Sequence, residues 1–186
     1  MIVLVGFMGA GKTTVGHLLS AALGVPFTDS DLVIEQRAGR PVRQIFAEYG
    51  EPAFRALEHE TIAGLLRGPD AVLALGGGAA CHDATRRVLR GHDVVYLHVS
   101  YGQAMLRVGG DAGRPMLHRP GLTDLYGRRL AAYESVATLT VPTDGRDPAA
   151  VSQDIIATLG TPAPQATRTA PDTPVVPAID GHQGRR

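Results

Sequence analysis

Residues 2–14 read Ile2-Val3-Leu4-Val5-Gly6-Phe7-Met8-Gly9-Ala10-Gly11-Lys12-Thr13-Thr14. The continuous apolar run Ile2–Val5 has the pattern of a strand covered on both faces. It runs directly into Gly6–Thr13, which fits G-x-x-x-x-G-K-[ST]. Behind it, Val15, Leu18, Leu19, Ala22 and Leu23 recur at helical spacing until Gly24 and Pro26 stop the helix. A strand, a glycine-rich loop and a helix in that order form a cradle for phosphate. The glycines let the backbone wrap around an anion without Cβ clashes. Successive N–H groups and the helix N-terminus then face the charge. Lys12 has the reach for β- and γ-phosphates, and the Thr13 hydroxyl suits Mg²⁺. Gly9, Ala10, Gly11, Lys12, Thr13 and Thr14 are therefore expected to hold a nucleoside triphosphate. An ordinary glycine-rich turn between strand and helix would not need Lys-Thr at this place. The motif does not say what accepts the phosphate.

Outward from this unit, short apolar runs alternate with helical patterns. Strands are expected near Phe27-Thr28, Ala71–Leu75, Val94–Val99 and Thr138–Val141. Helices are expected over Leu32–Ala38, Val42–Tyr49, Ala53–Leu66, Asp83–Leu89, Gln103–Arg107, Leu122–Tyr133 and Pro148–Leu159, with Gly39, Pro41, Gly50 and Pro52 as breaks. Strands separated by helices imply an α/β fold, a parallel sheet with helices on both faces. Val108–Gly121, rich in Gly and Pro, reads as a mobile lid. Residues 1–160 form one expected domain. Residues 161–186, rich in Pro, Ala and Thr, read as a disordered tail.

Composition narrows the classes further. The 186 residues carry no formal net charge and are 44% hydrophobic. No basic field points to nucleic acid, and a core can form. The single cysteine, Cys81, cannot make an intramolecular disulfide and reads as a small, partly buried side chain. No apolar run approaches a membrane span of about 20 residues, and Met1–Val5 is too short for a signal-peptide core. A cytosolic protein with no membrane partner is expected.

The acceptor must be read from the other strand ends. Loops at strand carboxyl ends face the ligand crevice in an open parallel sheet. Asp29-Ser30-Asp31 ends the second strand. Asp29 suits a Mg²⁺ shell, and Asp31 suits a hydroxyl acceptor and its proton. The same residues also fit a helix N-cap. Arg55 and Glu58, three apart on one helical face, suit a guanidinium oriented to grip a carboxylate, or equally a surface pair. Gly76-Gly77-Gly78 after a strand offers close backbone approach, or a flexible turn. Arg114 in the lid can reach a transferred phosphoryl group, or be solvated. Arg129 is a further grip on an anion, or a solvated residue.

Taken together, Gly6–Thr14, Phe27–Asp31, Ile45-Phe46, Gly50-Glu51, Phe54-Arg55 with Glu58, Leu75–Ala79, Arg114–Leu117, and Arg129 with Tyr133-Glu134 resemble the shikimate kinases of bacterial aromatic biosynthesis. The resemblance spans about Ile2 to Leu159. It implies a three-layer P-loop fold and transfer of phosphate from ATP, with Mg²⁺, to the 3-hydroxyl of shikimate. It implies Lys12 and Thr13 on the phosphates and magnesium, Asp29 in the magnesium shell, and Asp31 as base. Arg55 and Arg129 would hold the shikimate carboxylate, helped by Gly76, Gly77, Gly78 and Glu58, with Phe46 and Phe54 as walls. Arg114 would bridge to the phosphoryl group. Arg107, Arg146 and Pro148 would lie about the adenine. The family is described as monomeric and cytosolic. Two features depart from it: Arg129-Leu130-Ala131-Ala132 lacks an expected Pro-Leu pair before Tyr133, which makes Arg128 a rival to Arg129, and the tail has no counterpart. A kinase for gluconate or a nucleoside monophosphate, a nucleotide sensor without turnover, and a simple ATP hydrolase are the competing readings.

Overall fold

The computed structural model describes residues 1–109 and 121–160. The expected lid with Arg114, and the expected tail, lie outside the described residues.

Five strands form one sheet: β1 (Ile2–Val5), β2 (Phe27–Asp29), β3 (Val72–Ala74), β4 (Asp93–His98) and β5 (Leu139–Pro142). The order across the sheet is β2-β3-β1-β4-β5, and every pairing is parallel. Leu4 lies opposite Ala74 on one side and Val95 on the other. β1 is thus central, which is why its four residues are all buried and all apolar. The helices are α1 (Lys12–Leu23), α2 (Ser30–Ala38), α3 (Val42–Leu66), α4 (Asp83–Leu89), α5 (Tyr101–Gly109), α6 (Leu122–Val136) and α7 (Pro148–Leu159). Right-handed crossovers set the layers. The step from β1 to β2 runs one way along the sheet, and those from β2 to β3, β3 to β4 and β4 to β5 run the other way. α1 therefore covers one face, joined there by α7, while α3, α4 and α6 cover the opposite face.

Element types agree with the sequence pattern, and the differences lie at boundaries. Asp29 caps α2, its Oδ1 accepting from the Asp31 N–H at 2.9 Å, so the helix starts at Ser30, two residues before its first apolar position. α3 is one assigned helix with a kink at Gly50 (φ 77°, ψ 172°), where the sequence predicts two helices. Pro52 is tolerated because it falls in the first turn after the kink. A 3₁₀ turn, Ala79–Cys81, was not foreseen, and it leaves Cys81 exposed rather than partly buried. Among the described residues no helix is long and apolar enough to cross a membrane.

The described residues form two apolar clusters. The main core lies around β1, β3 and β4, with Leu19 of α1 and Ile155 of α7 fully buried against it. A small second cluster joins Ile34 of α2 to Ile45 and Phe54 of α3. Phe54, with the partly buried Phe46 packed on this cluster, lies beneath the Arg55 guanidinium.

α1 meets β2 closely. A Cβ on Gly16 would lie 2.2 Å from the Phe27 ring, which also stacks on His17 at 4.3 Å. In an exposed helix Gly→Ala gains about 1 kcal/mol, but overpacking costs about 1–3 kcal/mol. Gly16→Ala is expected to lower stability in urea unfolding, and a gain would show that Phe27 swings aside without penalty.

Candidate active site

β1 ends in the phosphate loop, β2 in Asp29, and β3 in Gly76-Gly77-Gly78. Because β3 sits between β1 and β2, these three ends lie side by side; the Leu75 N–H bonds the Leu4 carbonyl at 3.0 Å. One cavity of about 600 Å³ is lined by Gly9, Gly11, Lys12, Thr13, Thr14, Asp29, Asp31, Gly76, Gly77, Arg107 and Arg129, among others. The sequence separation between these residues exceeds a hundred positions, yet the parallel topology collects them at one sheet edge.

The phosphate loop has the expected form. Gly11 caps α1 in the left-handed region (φ 91°) and makes no side-chain cap bond. Lys12 Nζ donates to the Gly6 carbonyl at 2.8 Å and the Phe7 carbonyl at 3.3 Å. The ammonium is thereby held over the loop. Ala10 is buried beneath the loop rather than facing the cavity. Thr13 and Asp29 line the same cavity. Among the described residues, no group of three or more His, Cys, Asp and Glu side chains is placed to hold a metal. Thr13 and Asp29 are hard oxygen donors, too few for a cage. That fits a Mg²⁺ ion that brings phosphate oxygens and water as its other ligands.

The acceptor side converges on the triple glycine. A Cβ on Gly76 would lie 2.5 Å from Asp31 Oδ1 and 2.9 Å from Glu58 Oε1. One on Gly77 would lie 3.0 Å from Arg129 Nη1, and one on Gly78 would lie 2.2 Å from Arg55 Nη2. Each of these glycines therefore makes room for a charged side chain. Arg55 Nη1 donates to Glu58 Oε2 at 2.6 Å, and Glu51 takes the far edge at 3.2 Å. Glu58 is 1% exposed, so the pair is not the surface pair that its spacing also allowed. Phe46 and Phe54 stack at 4.3 Å, and the Arg55 guanidinium lies 5.6 and 5.4 Å from their centroids.

Arg129 and its rival Arg128 differ in position. It lines the 600 Å³ cavity and a second, outer cavity of about 670 Å³, whereas Arg128 lines the outer one alone. The Arg129 guanidinium also lies 5.8 Å from the Phe7 ring centroid. The adenine-side residues diverge. Arg107 reaches the cavity, donating to the Gly9 carbonyl at 3.0 Å and the Thr143 carbonyl at 2.5 Å. Arg146 instead pairs with Asp154 of α7 at 2.5 Å. Pro148 is the exposed first residue of α7, and neither residue lines the cavity. Reasoning from sequence assigned no site role to Ser30, Tyr133 or Thr143. Ser30 Oγ accepts from the Gly76 N–H at 3.1 Å, and the Tyr133 hydroxyl donates to the Gly77 carbonyl at 2.5 Å. Nothing local to either residue signals contacts 46 and 56 positions away.

Electrostatics sets Asp31 apart. Burial, then the charge of Asp29, push its pKa up to about 6, while Lys12 pulls the other way. Its Oδ1 is buried and makes no hydrogen bond among the described residues. Burial likewise pushes Glu58 up to about 7, opposed by Arg55. Burial alone would lower Arg55, but Glu58 and Glu51 outweigh it and its pKa is raised.

The folded state holds the Asp31 proton more tightly than an unfolded aspartate does, so this group's stability is full below pH 3.8 and is lost as pH rises through about 6. Asp31→Asn removes that loss. Its stability relative to the parent is expected to increase by roughly 1 kcal/mol between pH 5 and pH 8 in urea titrations. A gap that does not change with pH would show that Asp31 titrates normally.

Known proteins carry the same architecture. The family model described as "Shikimate kinase" matches residues 8–160. A shikimate kinase from Salinispora arenicola is 49% identical over 160 residues, covering 84% of this chain and 96% of the relative. One from Rhodococcus jostii is 42% identical over 161 residues, with the same coverage of each. Among solved structures, the shikimate kinase from Acinetobacter baumannii in complex with shikimate superposes with a TM-score of 0.79 at 37% identity, covering 85% of this chain and 91% of that one. With a phosphate loop and an arginine-lined acceptor pocket on a β2-β3-β1-β4-β5 parallel sheet, the chain belongs to the shikimate kinase family.

Proposed function

We propose that this protein transfers the γ-phosphoryl group of ATP to the 3-hydroxyl of shikimate. The observation that carries the reading is the meeting of Asp31, Glu58-paired Arg55 and Arg129 on Gly76–Gly78, beside Lys12 and Thr13. Two guanidinium groups and one poised carboxylate resting on one short run of bare backbone suit a small polyol acid. A neutral polyol would offer these guanidinium groups no anion to grip.

The roles follow from placement. Lys12 leaves the loop carbonyls for the β- and γ-phosphates, and the loop N–H groups offset the rest of the charge. Thr13 and Asp29 would hold Mg²⁺, which would supply neutralisation of the phosphate charge. Arg55 and Arg129 bind the carboxylate; the buried Glu58 and the faces of Phe46 and Phe54 fix the Arg55 fork. Asp31 Oδ1 accepts the acceptor hydroxyl. As the acceptor oxygen bonds to the γ-phosphorus, the bond from that phosphorus to the β-bridging oxygen breaks. The hydroxyl proton passes to Asp31 and ADP departs. Arg107, on Gly9 and Thr143, borders the adenine side. Arg114 is assigned to the phosphoryl group on the resemblance of its motif alone, as are Arg146 and Pro148 near adenine. The kinase unit is taken as residues 1–160, acting as a cytosolic monomer without nucleic-acid or membrane partners. Its zero net charge supports the absence of a nucleic-acid partner.

A coupled assay of ADP release with and without shikimate tests the proposal. Release that depends on gluconate or a nucleoside monophosphate, or on no acceptor, would replace it with one of the rival kinases or a hydrolase. Lys12→Ala is expected to cripple turnover by about 10²-fold or more. Arg55→Ala strands Glu58 without its partner, and is expected to weaken the acceptor by about 2–5 kcal/mol, read as a raised KM for shikimate. An unchanged KM would remove Arg55 from the acceptor pocket.

A further inference from the structure

The triple glycine needs an anchor. With no side chains of their own, Gly76, Gly77 and Gly78 pay a large entropic penalty to hold one conformation. They are nevertheless the surface on which four charged side chains rest. Two hydroxyls fasten them, one from α2 and one from α6. Ser30, fully buried in the first turn of α2, takes the Gly76 N–H on its Oγ at 3.1 Å. Tyr133, 1% exposed on α6, gives its hydroxyl proton to the Gly77 carbonyl at 2.5 Å.

Each anchor neighbours a residue of the acceptor pocket. Ser30 lies between Asp29 and Asp31. Tyr133 lies one turn after Arg129, on the same helical face. The Arg129 guanidinium also interacts with the Tyr133 hydroxyl. Burial raises the pKa of that hydroxyl, so it stays a donor throughout the working range. The Tyr133 ring is fixed by Tyr96, at 5.2 Å between centroids, so the hydroxyl is held by a packed core rather than by the loop it binds.

We infer that Tyr133 and Ser30 are positioning residues that clamp the Gly76–Gly78 backbone at two successive peptide groups and so set the spacing between Asp31, Arg55 and Arg129 to which the acceptor must fit. This deepens the proposed function and rests on it. The phosphate loop touches neither hydroxyl, so the clamp acts on the acceptor and not on ATP.

The test uses Tyr133→Phe, which keeps the ring and its packing on Tyr96, and Ser30→Ala. Loss of one buried hydrogen bond is expected to raise the KM for shikimate about tenfold. The KM for ATP stays within about twofold, and the thermal midpoint falls by only about 2–4 °C. Amide hydrogen exchange at Gly76–Gly78, measured without substrate, is expected to speed up in both variants. Unchanged shikimate KM and unchanged exchange in both variants would overturn the inference. So would a parallel rise of both KM values that tracks lost stability, since that marks a general structural role. Wild-type protein that releases no ADP with shikimate would instead sink the proposed function, and the exchange measurement would then judge the clamp by itself.

Discussion

The absence of three β-carbons at the end of β3 is the constraint on which the site depends. Asp31, Glu58, Arg55 and Arg129 come from α2, α3 and α6, and all rest against Gly76–Gly78. A methyl group at any of the three positions would push a charged group out of place. The glycines therefore act less as a hinge than as a floor. A floor of bare backbone brings two guanidinium groups and a carboxylate within the span of one small acid, and it keeps peptide groups available to that acid.

Such a floor is electrostatically uneasy in isolation. Asp31 and Glu58 are both buried carboxylates whose pKa values burial drives upward. Glu58 has Arg55 as compensation; Asp31 Oδ1 has no hydrogen-bond partner among the described residues. A carboxylate with a raised pKa is a better proton acceptor, and one without a hydrogen bond has room for a hydroxyl. The second cluster of Ile34, Ile45 and Phe54 has a narrower task. It seats Phe46 and Phe54 under Arg55 and so aims the guanidinium.

Much of the architecture could be read directly. The unbroken apolar run Ile2–Val5 indicated a central strand, and it is central because both of its faces are covered. Pro148 marked the first turn of α7, and Gly50 with Pro52 marked a break that the structure realises as a kink. Periodicity failed where a polar residue begins an element. α2 starts at Ser30 because Asp29 caps it, although the apolar pattern begins only at Leu32. Arg146 shows a different limit: the pairing of its guanidinium with Asp154 of α7 is one that no local pattern announces.

The sequence by itself determined the phosphate loop, the alternation of strands and helices, and the residue types able to grip an anionic acceptor. These are local matters: a backbone that must curl around phosphate needs glycine nearby, and a helix or strand declares itself within a few residues. Tertiary structure alone decided that β3 inserts between β1 and β2, which brings Gly76–Gly78 beside Lys12 and Asp31. It alone chose Arg129 over Arg128 at the inner cavity, buried Glu58 behind Arg55, and joined Ser30 and Tyr133 to the glycine backbone. Strand order and hydrogen bonds across dozens of residues follow from how separated segments bury their apolar faces together, and no short stretch of the chain carries that information.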